Sequence, residues 1–167
     1  IDPFYLTWKA REYNVPTRFI ELAGEINVAM PRYVISRLEV ALDKRFAKSL
    51  SASKVLILGL AYKKNVPDIR ESPAFAIMDM LKARGTTFDY HDPHVPSIPR
   101  TREHEQYYGQ RSVGLDAATI SSYDAVVLVT DHDDVDYGLV AAKAKLVLDT
   151  RNAFGKRGFS GETIVKA

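Results

Sequence analysis

No cysteine occurs among the 167 residues. Disulfides, thiolate metal sites and a thiol nucleophile are thereby excluded from this chain, and a reducing, cytoplasmic setting is the expectation. No apolar run approaches the roughly 20 residues a bilayer-spanning helix requires, so no membrane partner is expected. The opening residues lack the basic-then-apolar order of a secretory signal, and Ile1 is not an initiator methionine. An excised or processed piece of a longer chain is the simplest expectation. Net charge is nearly absent too: 23 Lys and Arg against 21 Asp and Glu leave +2, which argues against a phosphate-tracking nucleic-acid surface. The G-x-G-x-x-G dinucleotide turn is missing, because Gly59 is followed by Ala61 and then by lysines. There is no internal repeat and no low-complexity tract.

What the chain has is enough apolar residue, 46%, for one core with an appended helix. Residues 1–16 hold Pro3 and Pro16 and read as a lead-in, with Thr17 placed to cap a helix beginning at residue 18. Across 18–48, Phe19, Leu22, Ala23, Ile26, Met30, Val34, Leu38 and Leu42 recur at helical spacing and predict one long helix. Pro31 lies inside it, so a kink or break is expected near 28–31. Arg32, Arg37 and Lys44 read as its solvated face. A boundary near residue 50 then divides the chain into 1–50, lead-in and long helix, and 51–167, an α/β domain. There, apolar strands are predicted at 54–60, 86–91, 125–130 and 146–149, separated by helices from Ser72-Pro73 to Arg84, at 115–122 and at 136–143. Continuous apolar strands predict a Rossmann-like parallel sheet covered by helices on both faces. Segment 96–114 has no clean period and reads as a long irregular loop.

The most informative stretch is 59–73, Gly-Leu-Ala-Tyr-Lys-Lys-Asn-Val-Pro-Asp-Ile-Arg-Glu-Ser-Pro. It places Lys63, Lys64 and Arg70 between an apolar strand and a helix start, where Ser72 is an N-cap and Pro73 the first helical residue. Ligands of open α/β sheets bind at strand carboxyl ends, and cations there neutralise a diphosphate. The plain alternative is a solvated basic loop. His91-Asp92-Pro93-His94 and Asp131-His132-Asp133-Asp134 resemble metal ligands in isolation, but each follows a strand, where such residues commonly turn the chain; no metal is expected. Tyr107 and Tyr108 among arginines offer a stacking surface for a base, or simply packing.

The 59–73 stretch resembles G-x-A-[FY]-K-x-x-x-x-D-x-R-E-S of the UDP-glucose/GDP-mannose dehydrogenase family. Ile1-Asp2-Pro3-Phe4-Tyr5-Leu6 is similar to the continuation of that family's cysteine motif, and Asp149-Thr150-Arg151-Asn152 to its late D-x-R-N turn. The resemblance runs in family order over nearly the whole chain. It implies oxidation of the C6 alcohol of a UDP-sugar to a carboxylate by NAD, through a cysteine-bound thioester, and a homodimer formed through the central helix. The family cysteine would fall just before Ile1, so the chain by itself is expected to bind and not to oxidise. By the same resemblance Asp2 activates water for thioester hydrolysis, Tyr62, Lys63 and Arg151 hold the UDP-sugar, and Arg70 reaches NAD.

Each role has a structural alternative. Asp2 can cap a turn, Tyr62 can be core, Arg70 can pair with Asp68 or Glu71, and Arg151 can pair with Asp149. The wording from Ile1 to Ala10 resembles the branch acting on UDP-N-acetylated hexosamines, which favours UDP-N-acetylglucosamine. A stand-alone nucleotide-binding or dimerisation module is the alternative function.

Overall fold

The computed structural model describes residues 2–167, with side chains from Pro3 onward. Two helices lead the chain: α1 (Asp2–Glu12) and α2 (Arg18–Phe46). The first is a helix within the segment that the sequence reads only as a lead-in. Pro3 lies in the opening turn of α1, where a backbone N–H has no intrahelical acceptor in any case, so it does not oppose the helix. α1 folds back on α2 through the turn at Asn14, whose φ is 55°. The ring of Phe4 sits where a Cβ on Gly24 would stand 2.5 Å from it, so a side chain at this position would push the ring aside. Thr17 occupies the N-cap position of α2 but makes no side-chain bond to the backbone; its hydroxyl lies 3.3 Å from Glu21.

α2 runs unbroken through Pro31, which corrects the expected break. The residue costs the Asn27 carbonyl its intrahelical donor, and burial of Pro31 against the rest of the protein accompanies the uninterrupted helix. α2 stops at Ala47, whose N–H still bonds the Asp43 carbonyl while its left-handed φ of 48° turns the chain out of the helix.

The sheet is wholly parallel, in the order β2-β1-β3-β4-β5. Its strands are β1 (Lys54–Leu58), β2 (Thr87–His91), β3 (Ala125–Leu128), β4 (Val147–Asp149) and β5 (Ile164–Lys166). Helices α3 (Pro73–Ala83), α4 (Ala117–Ser121), α5 (Tyr137–Lys143) and α6 (Ala153–Lys156) connect them. Strand side chains alternate between two cores. Val55, Ile57, Val127 and Leu148 pack with α2 and α3, while Leu56, Leu58, Val126 and Val147 pack with α4, α5 and α6. A sheet buried on both faces explains the unbroken apolar runs. The predicted start and stop of α3 hold: the Ser72 hydroxyl accepts from Ala74 N–H, and Gly85 follows the helix with φ 71°. The structure adds Asp116 and Asp136 as side-chain caps of α4 and α5. β5 and α6 are additions that the sequence pattern does not predict.

Segment 96–114 is largely irregular, with one short turn of 3-10 helix (Glu105–Tyr107). It is fastened to α3: the Tyr107 hydroxyl donates to Asp79 at 2.7 Å and the His104 ring stacks on Phe75 at 3.9 Å. Tyr107 is buried and Tyr108 points outward, so the first of the pair serves packing.

Candidate ligand cleft at the sheet switch point

The chain leaves β1 toward β2 on one side and reaches β3 on the other, so the loops after β1 and β3 part at their carboxyl ends. In open α/β sheets this is where ligands enter. A cleft of about 400 Å³ opens there, walled by Tyr62 and Lys63 after β1, Val129 after β3, Thr150 and Arg151 after β4, and the Asn27 to Val34 stretch of α2. Tyr62, Lys63 and Arg151, far apart in sequence, are thus brought to one cavity.

Gly59 starts the loop. It takes φ 87°, and a Cβ there would meet the Thr130 carbonyl oxygen at 2.2 Å, so no other residue fits between the ends of β1 and β3. Tyr62 is 44% exposed, which sets aside the reading that it is only core. The Lys63 ammonium lies 5.5 Å from the centre of the Tyr62 ring and, among the described residues, pairs with no carboxylate. Lys64 points elsewhere: it is 2.5 Å from Asp133, which also takes a hydrogen bond from Asn65 at 2.7 Å. These two bonds hold the Asp133 carboxyl below its ordinary range. Of the adjacent lysines, one is committed to the scaffold and one faces the cleft.

Arg151 is oriented by the protein. Its Nε donates to the Val129 carbonyl at 2.7 Å, and Asn152 beside it adopts φ 54°. The expected alternative, a pair with Asp149, is not what forms: buried Asp149 instead accepts the backbone N–H groups of Arg151, Ala153 and Phe154. That makes the Asp-Thr-Arg-Asn turn a mount that holds the guanidinium from behind, and among the described residues its Nη groups have no partner, which leaves them to meet an anion. Glu71, at φ 59°, also lines the cleft, a strained backbone position beside the candidate site.

Arg70 is not among the residues that line this cleft. Arg70 makes a two-point ion pair with Asp68, Nε to Oδ1 at 2.9 Å and Nη2 to Oδ2 at 2.7 Å. That contact holds the Asp68 carboxyl down to about 2. The alternative pairing expected for Arg70 is therefore present, and the ion pair must open or be shared for Arg70 to reach a ligand. Asp2 begins α1, and its side chain lies outside the described residues. A dinucleotide does not fit the β1 loop: Gly59 is followed by a bulky, lysine-bearing turn, and no helix begins until Pro73. Among the described residues no three His, Cys, Asp or Glu side chains converge as metal ligands, and no helix is long and apolar enough to cross a membrane.

The sequence pattern presents Asp92 and His132 only as turn residues and misses their role. Both are fully buried and lie 3.0 Å apart beneath the β1 loop. The one available signal is that each closely follows a strand.

A model of the UDP-glucose/GDP-mannose dehydrogenase family, UDP binding domain, matches residues 56–156. UDP-N-acetyl-D-mannosamine dehydrogenase of Methanococcus maripaludis is 33% identical over 160 residues, covering 91% of this chain and 33% of that protein. UDP-N-acetyl-D-glucosamine 6-dehydrogenase of Pseudomonas aeruginosa is 31% identical over 134 residues, 80% of this chain and 30% of that protein. The chain thus spans about a third of the length of the curated relatives it matches. The solved structure of the UDP-N-acetyl-mannosamine dehydrogenase Cap5O from S. aureus superposes with a TM-score of 0.65 at 26% identity, over 99% of this chain and 35% of that one. The UDP-D-ManNAc dehydrogenase of Pyrococcus horikoshii, at 24% identity and a TM-score of 0.74, shares the fold over 99% of this chain and 36% of its own.

Proposed function

Because the chain belongs to the UDP-glucose/GDP-mannose dehydrogenase family, we propose that its switch-point cleft binds the UDP-sugar that the whole protein oxidises at C6. The observation that carries this is the convergence of Tyr62, Lys63 and Arg151 on one cavity. The Lys63 ammonium and the Arg151 guanidinium neutralise the diphosphate, and the half-exposed Tyr62 ring packs on the nucleotide or sugar. Residues 51–167 form this binding domain, and 1–50 the central helical segment.

The substrate class is a UDP-linked N-acetylhexosamine. The Ile1 to Ala10 wording favours UDP-N-acetylglucosamine, while the relatives' names divide between mannosamine, glucosamine and galactosaminuronic acid. NAD is the hydride acceptor of the whole protein, and Arg70 is the residue here that reaches toward it. Asp2 orients the water that hydrolyses the thioester: in the whole protein, Asp2→Asn slows that step more than the first hydride transfer, and equal slowing would mark a structural role instead. With no cysteine, this chain by itself binds and does not oxidise. The exposed apolar residues Phe19, Leu22, Ile26 and Val28 on α2 support a homodimer formed through the central helix, in the cytoplasm.

Calorimetric titration with UDP, UDP-N-acetylglucosamine and UDP-N-acetylmannosamine tests the reading. Lys63→Ala and Arg151→Ala should each weaken saturable binding by roughly 1.5–3 kcal/mol, the worth of a hydrogen bond to a charged group. Unchanged affinity in both variants would overturn the site.

A further inference from the structure

Asp92 leaves the end of β2 and His132 the end of β3, and the strand order places those ends on either side of β1. The side chains meet beneath the loop that β1 sends into the cleft. Asp92 Oδ2 accepts the N–H groups of Leu60 at 2.6 Å and Ala61 at 2.9 Å, and Oδ1 those of His94 at 2.8 Å and Val95 at 3.1 Å. His132 Nδ1 accepts the N–H of Asn65 at 2.9 Å. With Nδ1 accepting, the ring proton sits on Nε2 and is donated to Asp92. One buried pair therefore grips both ends of the turn that carries Tyr62 and Lys63.

Both ring nitrogens are committed and the side chain is wholly inaccessible, so His132 has no route to exchange a proton with a ligand. That excludes an acid–base role and leaves a mechanical one. We propose that Asp92 and His132 are positioning residues of the nucleotide site, holding the 60–65 turn by its backbone so that Lys63 faces the cleft. The proposal rests on the UDP-sugar reading of that cleft. Thr130 supports the same turn, its hydroxyl donating to the Ala61 carbonyl at 2.6 Å.

Two substitutions separate the contacts. In His132→Gln the side-chain amide reaches the Nε2 position and keeps Asp92, leaving the Asn65 N–H without an acceptor. In His132→Asn the amide oxygen occupies the Nδ1 position and keeps Asn65. Amide hydrogen exchange, with Val127 in the core as the folding control, and UDP titration are read on both variants and on the wild type. His132→Gln should speed exchange at Asn65 about tenfold and weaken UDP binding about three- to tenfold, the range of one lost hydrogen bond, and His132→Asn should restore much of both. Wild-type exchange at Asn65 retained in His132→Gln, or faster exchange with unchanged UDP affinity, would overturn the positioning role alone. A wild-type chain that ignores UDP would instead overturn the binding reading and this role with it. Nitrogen NMR of the wild-type ring needs no variant: a proton found on Nδ1 would refute the arrangement outright.

Discussion

The two halves of α2 carry the same apolar period and meet different surroundings. In the second half Pro31, Val34, Ile35, Leu38 and Leu42 are buried against α3 and the sheet. In the first half Phe19, Leu22, Ile26 and Met30 continue the stripe into the open, Phe19 with 89% of its surface exposed. The period therefore reports that a face is apolar and not what covers it. The candidate cleft lies at the seam, taking Asn27 and Met30 from the open half and Pro31 and Val34 from the covered half.

Truncating one stripe residue on each side of the seam tests whether the two halves differ in burial. Leu38→Ala removes a fully buried side chain and should cost about 2–5 kcal/mol. Phe19→Ala should change the stability of the monomer by no more than about 0.5 kcal/mol. Urea unfolding followed by circular dichroism reads both, and equal losses would mean that the open half is covered in solution. Sedimentation equilibrium then asks by what: Phe19→Asp should lower self-association while leaving the monomer's unfolding midpoint in place, and unchanged association would remove α2 from any dimer contact.

Acid should separate the regions again. Burial pushes the Asp92 carboxyl up, but the hydrogen bond from His132 and those from the Ala61 and His94 backbones outweigh it and hold the group at about 2. A carboxyl lowered on folding from its ordinary value of about 3.9 stabilises the fold above that value, and the contribution is lost as pH falls through the lowered one. The stability gap between wild type and Asp92→Asn should accordingly be wide at about pH 5 and close between about pH 4 and 2. Asp92→Asn is close in shape yet turns a donor toward backbone donors, so a gap that does not change over this window would mean that the charge of Asp92 is not what holds the loop.

Legibility in the sequence tracks the range of the forces involved. Ser72-Pro73 and the apolar strands announce themselves within a few residues, and the resemblance picks out Tyr62, Lys63 and Arg151, which do share a cleft. α1 is hidden because Pro3 reads as a helix breaker unless it is known to sit in a first turn. α6 and β5, of 4 and 3 residues, are too short for a period to show. Asp92 and His132 lie 40 positions apart, and only the strand order brings them together, so neither local motif carries the information that the two form one device.

The smallest expected effect concerns how α1 is tied to the open half of α2. Among its contacts are the Phe4 ring over Gly24 and an ion pair of Arg11 with Glu21 at 3.0 Å. The ion pair is solvent-screened, and it lowers the Glu21 carboxyl only by hydrogen bonding and attraction across an exposed surface. Arg11→Ala should leave amide exchange along α1 unchanged, whereas Phe4→Ala should speed it, because the ring packs directly over Gly24. If Arg11→Ala alone frees α1, the hairpin is held by charge, and raising the salt concentration should then release it in the wild type as well.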